Sequence, residues 1–163
     1  MLQTSATLHF FAWLILGGPY PVLVDTGFRQ EDAAERGVAN FVSPAAMVEK
    51  LGVKAADIPT ALITHLHWDH WAGHSLFPAA EFWIQKEEIA FWTGPVARCF
   101  PGSACAGWAA TRRACRSSPW RRPRAGFDTI HALAGDRSRI VTGHDPEVAE
   151  RFKPVEPGVV QIA

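Results

Sequence analysis

The chain has 163 residues, 48% of them hydrophobic and 20% charged, and a formal net charge of zero. That length gives one domain with enough chain to bury a core, and the composition is that of a globular protein rather than a disordered one. Zero net charge leaves no whole-chain argument for nucleic acid or an anionic membrane surface, and the apolar run from Phe10 to Gly18 is far shorter than the roughly 20 residues that span a bilayer.

In chain order, Leu8–Leu16 and Val22–Asp25 read as adjacent strands joined by the turn signal "GGPYP". The run is apolar on both faces, as in a sheet covered on both sides. The Phe10–Gly18 run has the length of a signal-peptide core. No Lys or Arg precedes Arg29, however, so the positive leader segment is missing. Ser43 and Pro44 then open a helix, "SPAAMVEKLG", with a capping serine, proline at the first helical position and a closing glycine. "TALIT" is a short buried strand, and "EFWIQKEEIAFW" is a strand followed by a helix. "SRIVTGHD" is a late strand carrying His144 at its tip. Strands alternating with helices give an α/β architecture, organised as a single domain over residues 1–163.

One stretch departs from this pattern. Residues 98–124 carry seven arginines, Cys99, Cys105 and Cys115, and no Asp or Glu; the local charge is +7, against −5 for residues 1–97 and −2 for 125–163. The stretch has no helical or strand period. Three readings stay open: a solvated basic loop, a nucleic-acid contact using Trp108, Trp120 and the arginines, or an atypical insert or disordered junction foreign to the fold. The three cysteines are odd in number and lack metal-type spacing, which reads as a reducing, cytoplasmic setting.

The chemistry is concentrated in "THLHWDHWAGH", residues 64–74, where four of the seven histidines and one aspartate fall within eleven residues. His65 and His67 stand at i and i+2 just past a strand, so in extended backbone both imidazoles point the same way and reach one ion. Asp69 and His70 follow where the chain turns toward a helix, placed to face a second ion. Neutral imidazole and carboxylate suit zinc, and also manganese, iron or cobalt. His74 lies a turn further on and reads as a helix-face histidine or a neighbour of the ligands.

With "THLHWDH", "VLVDTG" and the late "GHDP", the chain resembles the metallo-β-lactamase superfamily. Its "VLVDTGF" and the tail "GFDTIHALAGDRSRIVTGHDPEV" are most similar to the N-acyl homoserine lactonase-like branch. The resemblance covers Leu8 to about Val96 and Gly126 to the C-terminus. It implies an αββα sandwich and two metal ions, zinc by expectation. His65 and His67 match ligands of the first ion; Asp69, His70 and His144 match ligands of the second, with a catalytic part for Asp69. Asp25 matches an aspartate that accepts a ligand's N–H and fixes its tautomer, though a turn residue before Gly27 is an equal reading. His9 and His131 match no family position. The implied activity is zinc-dependent hydrolysis of a small ester or lactone, the ring being opened by a metal-bound hydroxide, as in quorum quenching. No membrane or nucleic-acid partner is implied.

The pattern is also incomplete. The family places a third histidine and a bridging aspartate between the cluster and the last ligand, but no histidine lies between His74 and His131, and no Asp or Glu between Glu88 and Asp128. The sole tyrosine, Tyr20, sits in an early turn, unlike the family's catalytic one. The chain therefore reads as an incomplete sandwich, apparently truncated or internally deleted, lacking part of the second sheet and its ligand loops. Two further readings stay beside lactone hydrolysis: another thioester, ester or β-lactam substrate, and a catalytically degenerate metal-binding fragment.

Overall fold

The computed structural model describes residues 8–93, the backbone of 115–118 and residues 144–162. The chain divides into two compact units, Ala12–Trp120 and Met1–Phe11 with Arg121–Ala163.

The Ala12–Trp120 unit is built on a five-stranded sheet in the order β1-β2-β3-β4-β5. Its strands are β1 (Trp13–Ile15), β2 (Val22–Val24), β3 (Thr60–Ile63), β4 (Glu81–Gln85) and β5 (Cys115–Ser118). β1 runs antiparallel to β2, and the rest pair in parallel. Because side chains alternate along a strand, the register puts Leu14, Leu23, Ala61, Phe82, Ile63 and Ile84 on one face. That face meets Val48, Ile58, Leu66, Trp71 and Phe77 in one core, where each large side chain contributes about 1.5–3 kcal/mol by leaving water.

The opposite face differs from the expectation of a sheet covered on both sides. It carries Trp13, Ile15, Val22, Val24, Leu62 and Trp83, of which Leu62 is 40% and Ile15 52% exposed. The first strand is also shorter than Leu8–Leu16. A strand extends only where a partner exists, and the register of β1 ends with β2, at Trp13↔Val24 and Ile15↔Val22. β5 falls inside the arginine-rich stretch; the rest of residues 98–124 lies outside the described residues.

Among the described residues, four α-helices flank these strands: α1 (Gln30–Glu35), α2 (Pro44–Lys50), α3 (Trp68–Trp71) and α4 (Lys86–Thr93). In α2, Ser43 is in extended backbone just before Pro44, and Lys50 lies in the last turn, where a cation complements the helix dipole. α1 starts where the Asp32 carboxylate accepts hydrogen bonds from both the backbone N–H and the Nε–H of Arg29, each at 3.1 Å.

In the second unit, the His9 N–H donates to the His144 carbonyl at 3.4 Å. Helix α5 (Glu147–Arg151) buries Val148 and leads into a hairpin of β6 (Lys153–Glu156) and β7 (Val159–Gln161). The late strand expected before His144 lies outside the described residues. No helix among the described residues is long and apolar enough to cross a membrane.

Candidate metal centre

The parallel pairing of β2 and β3 sets their carboxyl ends side by side, and the chemistry-bearing residues sit in the two loops that leave those ends. The Asp25 N–H donates to the Leu62 carbonyl at 2.8 Å. Asp25 itself adopts φ 60°, a left-handed conformation that aspartate tolerates better than most residues. The loop is then fastened to the start of the next segment. The Thr26 N–H and hydroxyl both donate to the His70 carbonyl, at 2.8 and 3.0 Å, and the Gly73 N–H donates to the Gly27 carbonyl at 2.8 Å. This approach is so close that a side chain at Gly73 would collide with the Thr26 carbonyl oxygen.

Asp25 is 3% exposed, and a buried carboxylate needs several donors. It has them. The Thr64 N–H donates to Oδ1 at 2.8 Å, the Thr64 hydroxyl reaches Oδ2 at 2.8 Å, and His70 Nδ1 stands 2.7 Å from Oδ2. An ionised carboxylate only accepts, so His70 carries a proton on Nδ1. The Thr64 oxygen also stands 3.0 Å from His65 Nδ1. With its own hydrogen directed at Asp25, that oxygen accepts from His65 Nδ1–H, a tautomer assigned by the network. One carboxylate thus orients two imidazoles, His70 directly and His65 through a hydroxyl. Thr64 was not singled out in the sequence; its only signal there is its place between a buried strand and the first histidine.

The ring nitrogens pointing away from this support fall into close pairs. His65 Nε2 is 3.0 Å from His67 Nδ1, the His65 and His70 rings are 4.0 Å apart, and His70 Nε2 is 3.3 Å from Asp69 Oδ2. Burial, then the neighbouring His70 and His67, push the His65 imidazole below its ordinary value. Burial also opposes protonation of His70, but its hydrogen bonds to Asp25 and Asp69 outweigh it and raise this group to about 9. In the metal-free state the cluster therefore holds its proton on His70.

This donor set fits a divalent cation. Two nitrogens bound tetrahedrally to zinc at about 2.05 Å stand about 3.4 Å apart, within a few tenths of an ångström of the His65–His67 spacing. Imidazole nitrogen and carboxylate oxygen are the ligand chemistry of zinc and its neighbours.

The remaining candidates are placed as follows. His144 lies in the second unit at φ 66°, with Nδ1 donating to the His9 carbonyl at 2.8 Å; a carbonyl cannot donate, so Nδ1 carries a proton. His74 donates from Nδ1 to the Trp71 carbonyl at 3.1 Å and stacks on the Trp71 ring at 4.6 Å. His9 contributes its backbone to His144. Tyr20 is exposed. His131, Asp128 and Asp136 lie outside the described residues.

Comparison with known proteins identifies the family and the fold. The sequence model of the metallo-beta-lactamase superfamily matches residues 11–92, half of the chain. No curated protein sequence matches. Among solved structures, hydrolase AbOPH of the beta lactamase superfamily is 24% identical over 68% of this chain and 43% of its own, with a TM-score of 0.51. AidC, a dizinc quorum-quenching lactonase in complex with a product, is 19% identical over 73% and 46%, with a TM-score of 0.54. An N-acyl homoserine lactone hydrolase with N-hexanoyl-L-homoserine at its catalytic metal centre is 17% identical over 72% and 50%, also with 0.54. At these identities the likeness is one of fold, and the chain spans about half the length of these structures. The matched segment includes every element of the histidine cluster and its aspartate support, and the chain belongs to the metallo-beta-lactamase superfamily.

Proposed function

We propose that the chain is a divalent-metal-dependent hydrolase that opens lactone rings, with His65, His67, Asp69 and His70 as cation ligands and Asp25 as the carboxylate that orients them. The observation that carries this reading is the 3.0 Å approach of His65 Nε2 to His67 Nδ1, with His70 Nε2 3.3 Å from Asp69 Oδ2, on rings held from behind by Asp25 and Thr64. The family resemblance names His144 as a further ligand, and its pinned Nδ1–H gives the tautomer a metal requires. Zinc is the expected ion.

A bound divalent cation supplies Lewis acidity and lowers the pKa of water from near 15.7 toward roughly 7. The protein's own residues do the rest. Asp25 and Thr64 hold the Nδ1 sides of His70 and His65 and turn each Nε2 away from them; His70 gives up its second proton to ligate. Asp69 Oδ2, half-buried beside His70 Nε2, is the carboxylate placed to hold a proton from water. Adding water across the ring ester breaks the acyl–oxygen bond and leaves a hydroxy acid. The substrate class is supported by the structural neighbours that carry acyl-homoserine products.

A second reading, a metal-binding member without turnover, is favoured by one observation: no histidine between His74 and His131, and no carboxylate between Glu88 and Asp128. Both are tested by loading the purified chain with zinc and assaying an acyl homoserine lactone beside a β-lactam, with and without a chelator. Lactone turnover that the chelator abolishes supports the first reading. Tight zinc binding with no turnover of either substrate supports the second, and turnover of the β-lactam alone contradicts the substrate assignment.

A further inference from the structure

Helix α4 reaches the histidine cluster through a residue outside the metal-ligand motif. Glu88 Oε2 accepts the Leu66 N–H at 3.3 Å and the Trp92 Nε1–H at 3.2 Å. Leu66 is the residue between His65 and His67, with its side chain buried at 4% exposure. Its backbone N–H lies just past the end of β3, where the ladder to β4 stops at Ile63↔Ile84. Trp92, one helical turn after Glu88, meets the His67 ring edge-on at 5.7 Å and 83°. His67 itself is exposed, and none of the hydrogen bonds from Asp25 or Thr64 reaches it.

We propose that Glu88 is a positioning residue for the candidate metal centre: it anchors the backbone between His65 and His67 and, through Trp92, sets the orientation of the His67 ring. This inference rests on the metal-site reading but makes a prediction that does not need the metal. A single oxygen serves both donors, so an acceptor is required rather than a negative charge. Glutamine at this position keeps an acceptor oxygen of the same reach; alanine removes it and leaves the Leu66 N–H without this partner.

The test compares the full chain with Glu88→Gln and Glu88→Ala in two measurements. The first is NMR of the histidine rings in metal-free protein, where the edge of Trp92 shifts the His67 protons. The expected result is that Glu88→Ala moves the His67 signals toward free-histidine positions and leaves the Asp25-bound His70 signals in place, while Glu88→Gln retains both. The second is titration with Co²⁺ followed by its visible absorption. The expected dissociation constant rises about ten-fold in Glu88→Ala, as for other residues that orient ligands, with an altered band shape, and is restored in Glu88→Gln. A His67 signal unchanged in Glu88→Ala overturns the proposal whatever the metal does. Equal loss in both variants overturns it too, since charge rather than anchoring would then be responsible. If the unsubstituted chain takes up no Co²⁺, the metal-site reading fails, and the metal-free His67 signal still decides the part played by Glu88.

Discussion

Asp25 Oδ2 lies 2.7 Å from His70 Nδ1, and the same carboxylate holds the Thr64 hydroxyl that supports His65. Two candidate ligands from one loop therefore depend on one side chain from another. Replacing Asp25 with alanine removes both supports. Metal affinity is expected to fall by about 10- to 100-fold, the range found when ligand-orienting partners are lost. Competition against a chromophoric chelator measures it, and an unchanged affinity would reduce Asp25 to a turn residue.

Thr64→Val separates the two arms. Valine keeps the shape of threonine and lacks the hydroxyl, so His65 loses its Nδ1 partner while the Asp25–His70 contact remains. A stability loss of about 1 kcal/mol is expected, the net worth of an ordinary hydrogen bond, with a weaker effect on metal affinity than Asp25→Ala. Chemical denaturation of the metal-free chain, followed by the chelator competition, checks both. A loss of affinity equal to that of Asp25→Ala would mean that the His65 arm carries the whole effect.

The metal-free chain should lose stability as pH rises from 6.5 to 9. His70 is raised from its ordinary 6.5 to about 9; the folded state binds its proton more tightly than the unfolded chain. Its contribution is therefore complete below 6.5 and is lost as pH climbs through 9. His65 and His74 are lowered instead, chiefly by burial. Their opposing contributions are confined to pH below 6.5, because above it they are neutral in both states. Thermal midpoints across this window should fall in the unsubstituted chain and run flatter in Asp25→Asn, which removes one of the two carboxylate charges that raise His70. Parallel slopes in the two proteins would assign the pH dependence elsewhere.

Gly73→Ala is expected to be destabilising by about 1–3 kcal/mol, the range for overpacking a tight site, because the new methyl group meets the Thr26 carbonyl rather than a flexible side chain. The contact fastens the Asp25 loop to the histidine segment, so metal affinity should fall with stability. A variant with an unshifted melting point would mean that the two loops separate at no cost.

Much of this arrangement was legible in the sequence, for identifiable reasons. The helix at Pro44–Lys50 carries its own start and stop, Ser43–Pro44 and Gly52, so local chemistry suffices. The strand "TALI" and the histidines after it announce themselves because an apolar run ends at a cluster of ligand-type side chains. Leu8–Phe11 has the same aromatic and branched character as β1 but is not strand, because pairing requires a partner that composition cannot reveal. Helix α1 was missed because "QEDAAE" buries only Ala33 and so has almost no apolar period. Thr64 and Glu88 were illegible for a different reason. A threonine at a strand end and a glutamate on a helix are ordinary in sequence, and they acquire meaning only when β2 lies beside β3 and α4 folds back on the histidine loop.

The most direct test is a calorimetric titration of zinc into the metal-stripped full chain, beside His67→Ala. The account predicts tight uptake of about one equivalent at the histidine cluster, since imidazole and carboxylate are zinc ligands, and a clear loss of affinity in the variant. Fewer than two tight equivalents are expected, because the residues that would complete a second set have no match in the sequence. Absence of tight binding, or binding that His67→Ala leaves unchanged, would contradict the assignment of this cluster as a metal centre.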